Sequence, residues 1–434
     1  MIGMGALTQT AVQRAGRVQA CVVLLMFGFS VMSYFDRTIM SIAGPGIMKE
    51  FGLSETEMGT VYSAFLWSYA LMMIPCGGLA DRLGPRLVLT GMALGAAAFT
   101  ALTAWAGKPG LGTYLGIVPS FVVIRLGLGV FTAPIYPTCA RMNANWMGIG
   151  QRGRVQGWVN SGAGLGGAVS PILFSWMIAR YGWRISFLLA GLATAVLGAA
   201  WFFYVRDRPE EHPGVGHKLP DVPAPRRSRA PTPWRALLAD RNLQLLTIGY
   251  FAVDYFEYIF FYWIFYYLGE IRGLGASESA IYTTLLFLTW LVMTPVGGWT
   301  CDRLGARYGR KAGLKMVGAG GLILAAILLF AGVNAQQTAS AVGLMSLALG
   351  FASCSDVAFW AATIDVAGTE VGAAGGILNT GGNVGGSFAP VLTAFIAARA
   401  GWSWGLYFGC LMALAGVLTW LWIDPTRKIA VRES

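Results

Sequence analysis

Long apolar runs of about 20 residues, separated by short polar segments, follow one another along almost the whole chain. Counting the runs bounded by charged residues, proline or glycine gives twelve candidate membrane-spanning helices, since a helix needs about 20 apolar residues to cross a bilayer. The one long hydrophilic stretch, 206–240, is rich in proline and arginine and separates six runs from six. The pattern predicts an all-α membrane protein with helical bundles at 1–205 and 241–434, joined by a cytoplasmic linker at 206–240.

The two halves carry the same short motifs in the same order. The segment 160–162 (Asn-Ser-Gly) recurs 219 positions later as 379–381 (Asn-Thr-Gly), and 81–84 (Asp-Arg-Leu-Gly) recurs as 302–305. A parallel repeat of six helices is typical of transporters whose binding site lies between the halves near the middle of the membrane. We therefore expect two pseudo-symmetric six-helix bundles with a site between them.

Composition agrees with a membrane location. The chain is 56% hydrophobic and only 12% charged, against about 25% charged residues in soluble domains. Its net charge of +11 comes from basic residues in loops on one side, which is the positive-inside pattern rather than a nucleic-acid surface. This places both termini in the cytoplasm and the chain in a bacterial inner membrane, where we expect a monomer surrounded by lipid.

Several common chemistries have no counterpart in the sequence. The six cysteines show no paired spacing, and both histidines lie in the hydrophilic stretch, so we predict no disulfide framework, metal site, cofactor or enzymatic activity. Residues 162–167 fit a Gly-x-Gly-x-x-Gly pattern, but they lie inside an apolar run with no preceding strand. Close packing of helices is the favoured explanation of these glycines.

Full charges inside the apolar runs are the candidate functional groups. Asp36 and Arg37 lie in the first run and Arg125 in the fourth, although burying such a charge costs about 2.5 to 3.5 kcal/mol even on insertion scales. Neighbours on a helix point about 100° apart, so Asp36 and Arg37 should face different partners. Asp254 and Glu257, three residues apart in the seventh run, share one helix face.

The segment between the second and third runs, 77–86, reads Gly-Gly-Leu-Ala-Asp-Arg-Leu-Gly-Pro-Arg. This Gly-x-x-x-Asp-Arg-x-Gly-x-Arg motif resembles the signature of the major facilitator superfamily at the same place. Glycines permit a tight turn there, and an aspartate can cap a helix end or pair with a basic residue of a neighbouring segment. We predict a conformational latch at these positions and their repeat: Gly77, Asp81, Arg82, Gly84, Arg86, Asp302 and Arg303.

Within that superfamily the chain resembles the anion:cation symporters, through Tyr34-x-Asp36-Arg37, Arg125, Asn160-Ser161 and the pair Asn379 and Asn383. The resemblance implies that Asp36 takes up the coupling proton, that Arg37 and Arg125 attract a substrate carboxylate, and that Asn379 helps to bind it. The predicted substrate-binding residues are Arg37, Arg125, Tyr34, Tyr69, Asn160, Tyr255, Tyr258, Trp360, Asn379 and Asn383.

Two departures from the branch shape the prediction. Thr132 stands where the branch carries a second protonatable Glu, so Asp254 and Glu257 either replace it as proton-coupling groups or face a water-filled vestibule. Glycine and alanine at 162–164 replace side chains that bind sugar hydroxyls. Together with the aromatic seventh run, this predicts a monocarboxylate less polar than a sugar acid.

We therefore predict proton-coupled import of an organic anion by alternating access. The alternative is proton-coupled export of amphipathic, cationic or zwitterionic compounds, favoured by the additional acids Asp254, Glu257 and Asp356. Two structural interpretations compete with the assigned roles. Asp36 and Arg125 would form an ion pair between helices, and Arg37 would extend toward a lipid headgroup.

Overall fold

The computed structural model describes residues 2–77, 79–215, 233–367 and 370–429, without the side chains of 2–13, 74, 77, 81, 149, 150 and 153. The side chain of the predicted latch residue Asp81 therefore lies outside the described set. The middle of the linker, 216–232, also lies outside it. Within the described residues, twelve segments run the length of two helical bundles. This confirms the predicted all-α fold.

We number the segments α1 to α12 in chain order. The continuous helix Ile149–Tyr204 supplies α5 and α6, which meet at Gly182, where φ is 78°. Two consecutive helices with a break at Ala133 and Pro134 together form α4. The bounds are Ile2–Phe51 for α1, Glu55–Gly77 for α2, Pro85–Leu102 for α3, Ile117–Thr132 with Ile135–Trp146 for α4, Arg241–Tyr266 for α7, Ala276–Tyr308 for α8, Arg310–Asn334 for α9, Thr338–Ala367 for α10, Val371–Ala400 for α11 and Trp402–Trp422 for α12.

Eight helices of the described chain are long and apolar enough to cross a membrane by length and composition alone. The helix containing α5 and α6 is one of them, whereas α2, α7 and α11 are not among them. Of these three, α7 carries Asp254 and Glu257, and α11 carries Asn379 and Asn383. Two of the three helices that do not meet this length and composition criterion therefore carry candidate site residues.

The segment Gly44-Pro45-Gly46 does not end α1. The helix continues through Pro45 to Phe51. It ends instead at Gly52, whose φ of 65° is the left-handed conformation that commonly terminates helices. The Leu53 amide closes this end by donating to the Met48 carbonyl at 3.0 Å.

The glycines of α5 pack against neighbouring helices, as predicted. A Cβ atom added at Gly162 or Gly166 would lie 2.7 Å from a backbone carbonyl oxygen of α1, and one added at Gly164 would lie 2.5 Å from Leu291 of α8. These glycines therefore allow α5 to approach both α1 and a helix of the opposite half.

The two halves meet along three helix pairs: α2 with α11, α5 with α8, and α1 with α7. We call the end of the bundles where the linker 206–240 joins them the linker face. The opposite end, with Gly52–Glu55 and Gly401–Trp402, is the distal face.

Contacts between the halves are concentrated toward the distal face. Glu55 accepts hydrogen bonds from the Tyr266 hydroxyl at 2.7 Å and from the Trp402 indole at 3.0 Å. Near it, a Cβ atom at Gly59 would lie 2.6 Å from the Pro390 carbonyl oxygen. The tyrosine rings of α2 and α7, Tyr62 and Tyr262, stack at 5.1 Å. The structure is therefore closed at its distal face.

Candidate functional site

Arg37 is buried at the interface between the halves. Its side chain extends from α1 toward α7, where Nη1 donates to the Tyr258 hydroxyl at 2.8 Å. Only 3% of the residue is exposed, so it does not extend to a membrane surface. Its Nε has no hydrogen-bond partner. The structure thus places an incompletely satisfied cation between the two halves.

Arg125 of α4 is buried still more completely, with 1% exposed. Its Nη1 donates to the backbone carbonyl of Asp36 at 3.2 Å, while Nε and Nη2 have no partner. Those two atoms form one edge of the planar guanidinium, the edge that binds both oxygens of a carboxylate. Since leaving a buried donor unsatisfied costs about 1 to 3 kcal/mol or more for a charged group, this edge is suited to an anionic ligand.

Aromatic rings surround both guanidinium groups. Phe65 lies between them, with its ring centroid 5.0 Å from Cζ of Arg37 and 4.9 Å from Cζ of Arg125. The rings of Tyr34 and Tyr69 lie 4.9 and 5.1 Å from Arg37. Ring faces stabilise a cation without neutralising it. We call Arg37, Arg125 and these rings the arginine cluster.

A chain of hydrogen bonds connects the arginine cluster to α11. Tyr258 accepts from Arg37 and donates to Oδ1 of Asn383 at 3.2 Å. The Asn383 amide in turn donates to the Asn379 side chain at 3.0 Å and approaches the Met73 sulfur of α2 at 3.8 Å. Asn379 therefore bonds Asn383 and not Tyr258. The four predicted residues form one hydrogen-bond network that spans both halves: Arg37, Tyr258, Asn383 and Asn379.

Asp36 faces away from Arg37, as its helical spacing predicts. Its carboxylate accepts from the Thr194 hydroxyl of α6, 3.2 Å from Oδ2. The competing expectation of an ion pair with Arg125 is wrong, because Arg125 bonds the Asp36 backbone carbonyl and no described basic group lies within ion-pair distance of the carboxylate. Asp36 is thus 2% exposed, and Thr194 donates the hydrogen bond to its carboxylate.

Three further acids gather in the second half. Asp254 and Glu257 of α7 are 6% and 5% exposed, and Asp356 of α10 lies within electrostatic range of both. The Trp290 indole donates to Glu257 at 3.4 Å, and that of Trp360 donates to the Tyr250 hydroxyl beside this group at 3.0 Å. We call Asp254, Glu257 and Asp356 the acidic cluster.

Two predicted binding residues lie outside this arrangement. Asn160 is exposed on α5 and accepts a hydrogen bond from Gln156 at 3.1 Å. Tyr255 was expected to face the site, but its hydroxyl pairs with Thr393 at 3.1 Å and its ring packs on Phe408. It therefore occupies the interior of the second half, where Thr393 satisfies the hydroxyl.

The predicted latch residues lie at the linker face. Asp302 is bonded to Arg310 at 3.2 Å, and Arg310 makes a shorter ion pair of 2.6 Å with Asp365 of α10. In the first half, the Arg86 amide donates to Asp207 at the start of the linker at 2.7 Å, and the Arg86 side chain bonds the Phe202 carbonyl. None of these contacts joins the two halves. Arg303 stacks on Trp299 at 5.1 Å.

Sequence reasoning missed the residues that complete the site from other helices. Thr194, the partner of Asp36, belongs to no motif, and Met73 looks like any apolar membrane residue. Tyr62 and Tyr262 both have buried hydroxyls without a partner, and Tyr262 lies within electrostatic range of Arg125. Tyr262 was not missed, because its one-turn spacing from Tyr258 already indicates that it faces the site.

Known transporter sequences resemble this chain over most of its length. The profile of the Major Facilitator Superfamily matches residues 26–369 and 304–434. The chain is 33% identical to the "probable sulfoacetate transporter" of Cupriavidus necator, over 91% of each chain. It is 29% identical to the hexuronate transporter of Bacillus subtilis over 88% of each, and 28% identical to a D-galactonate transporter of Escherichia coli over 94% of this chain and 96% of that one.

Solved structures share the fold at low sequence identity. A bacterial homologue of the lysosomal transporter Spinster, inward-facing and occupied, aligns with a TM-score of 0.76 at 14% identity, covering 94% of this chain and 97% of that one. A D-xylose-proton symporter aligns with a TM-score of 0.71 at 15% identity, covering 93% and 98%. The resemblance to anion transporters found in the sequence is thus confirmed, and the chain belongs to the major facilitator superfamily.

Proposed function

We propose that this protein imports an organic anion together with protons by alternating access. The observation that carries the proposal is the free guanidinium edge of Arg125, two buried donors without a partner in the middle of the helical bundle. A carboxylate or sulfonate supplies the matching acceptors. Relatives named for sulfoacetate, hexuronate and galactonate transport support this class of substrate.

In this proposal Arg125 is the main anchor and Arg37 the second. Arg37 already uses one donor on Tyr258, whereas Arg125 keeps two adjacent donors for the ligand. Asn383 and Asn379 contribute from the second half through Tyr258. An anion bound here would touch groups of both halves, so its binding is sensitive to the relative position of the halves, which alternating access requires.

We assign the coupling proton chiefly to Asp36. Arg125 donates to the Asp36 backbone carbonyl with Nη1 and has Nε and Nη2 free for the ligand, so it lies near Asp36 without an ion pair to the carboxylate. A nearby positive charge stabilises an ionised carboxylate. An anion that neutralises Arg125 removes that stabilisation, and Asp36 then binds a proton more readily. Asp254 and Glu257 are the second candidates for proton coupling.

The positive-inside pattern assigns the linker face to the cytoplasm and both termini with it. The distal face, which is closed in the structure, then faces the outside of the cell. Asp302 and its repeat Asp81 act in switching between conformations in this proposal, through contacts at the linker face. We expect the chain to act as a monomer in a bacterial inner membrane.

The expectation of a substrate less polar than a sugar acid remains a prediction that the relatives do not support, since two are named for sugar acids. A thermal-shift screen of the purified protein decides between classes, because a ligand of the native state raises apparent stability by mass action. Stabilisation by sulfoacetate, hexuronate or galactonate is the expected result. Stabilisation only by cations without an acid group would contradict the proposal and favour the exporter.

A further inference from the structure

The acidic cluster has no basic partner of its own. Asp254 makes no hydrogen bond or ion pair with any described residue, although it is 6% exposed. A side-chain oxygen of Asp356 is likewise buried without a partner, and Glu257 has only the long bond from Trp290. A buried carboxylate is costly while it is ionised, so it either takes up a proton or is paired with a positive charge. Asp254, Glu257 and Asp356 have no ion-pair partner among the described residues, and a positively charged group of a ligand can supply one.

The acidic cluster continues the arginine cluster along one face of α7. Tyr258, which bonds Arg37, is four residues after Asp254, a separation of about 6 Å along a helix. Arg37 is within electrostatic range of Asp254, but no ion pair joins them among the described residues. The arginine cluster and the acidic cluster, which have opposite charge, therefore lie side by side at the interface of the halves without an ion pair between them.

The unpaired donors of Arg37 and Arg125 are an independent sign of a ligand at this interface. They belong to helices of the first half, whereas the acids belong to the second. A ligand that is only anionic would satisfy the arginines and be repelled by ionised acids. A ligand with an acid group at one end and a positive group at the other would satisfy both clusters.

The aromatic side chains at the acidic cluster fit a cationic nitrogen. Trp360 meets Tyr250 edge to face, at 6.2 Å and 84°, and Trp290 meets Phe261 at 5.9 Å and 86°. Aromatic rings attract a cation that lies within about 6 Å of the ring centroid. A divalent metal is not indicated, because no group of three His, Cys, Asp or Glu in the described ranges is arranged to hold one.

We infer that the substrate is an amphoteric organic acid: its carboxylate or sulfonate binds Arg125 and Arg37, and its ammonium group binds Asp254, Glu257 and Asp356. The inference rests on the proposed function for its acid end. Asp254 and Tyr258, the residue bonded to Arg37, lie about one turn apart on α7, so the two charged groups of the ligand bind at separate positions. An ω-amino acid, whose charged groups are several bonds apart, fits this arrangement better than an α-amino acid.

Matched probes test the inference on the full-length protein. The ω-amino acids 3-aminopropionate, 4-aminobutyrate and 6-aminohexanoate are compared by thermal shift with propionate, butyrate and hexanoate, and with the corresponding alkylamines. At least one amino acid is expected to bind tenfold or more tightly than its matched carboxylate and its matched amine. If none of the three exceeds its matched carboxylate, the inference is overturned, and this comparison needs no variant.

Single-residue variants test whether the acidic cluster causes the tighter binding of the amino acid. Glu257→Gln and Asp254→Asn are each expected to remove the advantage of the amino acid, while the plain carboxylate binds at least as tightly as to the wild type because repulsion by the acid is reduced. Glu278→Gln, at an exposed acid in the first turn of α8, is the matched control and should change neither. Equal advantage in the wild type and both cluster variants contradicts the assignment. If sulfoacetate binds but no amino acid has an advantage, the inference fails and the proposed function stands; if no acid binds at all, the proposed function fails.

Discussion

Replacing Arg125 with lysine separates charge from geometry at the proposed anchor. Lysine keeps the positive charge but lacks the planar edge formed by Nε and Nη2, both unpartnered in the structure. A hydrogen bond to a charged group contributes about 1.5 to 3 kcal/mol. Losing one of the two expected bonds should therefore weaken substrate binding by about 10- to 150-fold. Arg125→Ala should weaken it further, because both bonds and the charge are lost.

The measurement is a binding isotherm on purified protein with whichever of sulfoacetate, hexuronate or galactonate stabilises it. Arg184→Lys is the matched control. Arg184 makes a 2.6 Å ion pair with Glu50 near the distal face, and its side chain is 41% exposed, so the same substitution there should leave affinity within about twofold. A thermal unfolding curve without ligand establishes that each variant is folded.

Affinity unchanged in both Arg125→Lys and Arg125→Ala would refute the reasoning, since it would show that the free guanidinium edge is not used by the ligand. A loss of affinity equal in Arg184→Lys would show that the effect is not local to the site.

Four further outcomes follow from the structure. Asp36→Asn should abolish accumulation driven by a pH gradient while substrate counterflow in proteoliposomes persists; accumulation that survives would move proton coupling to the acidic cluster. Asp302→Asn should slow transport with less than about tenfold change in affinity, or about 1.4 kcal/mol, as measured by uptake and binding in parallel. Asn379→Ala should raise the apparent Km for uptake, whereas Arg206→Ala in the linker should not. Glu55→Ala removes the acceptor of two hydrogen bonds at the distal face, so distances between spin labels placed across that face should lengthen, and unchanged distances would contradict its role in closure.

The fold was predictable because it depends on patterns that are visible in the amino-acid sequence itself. Apolar runs of membrane-spanning length, the repeat between the halves and the motif at 77–86 each led to the same architecture. The end of α1 was not predictable, since a proline normally disfavours a helix interior and the chain nevertheless remains helical to Phe51. Its true end depends on Gly52.

The site was predictable only in part. Charged residues in apolar runs singled out Asp36, Arg37 and Arg125, and their burial is a direct consequence of that placement. Their partners were not predictable, because Thr194 and Met73 are ordinary membrane residues whose importance arises from contacts between helices distant in sequence. Tyr255 illustrates the reverse error, since its spacing suggested the site while Thr393 holds its hydroxyl elsewhere.

The most direct test of the central claim is proton movement that accompanies the anion. Proteoliposomes containing the protein and an internal pH-sensitive dye are given an inward gradient of the bound anion at zero membrane potential. We expect the interior to acidify with the wild-type protein and to remain unchanged with Asp36→Asn. Entry of the anion without any acidification in the wild type, measured with labelled substrate in the same vesicles, would contradict proton-coupled symport.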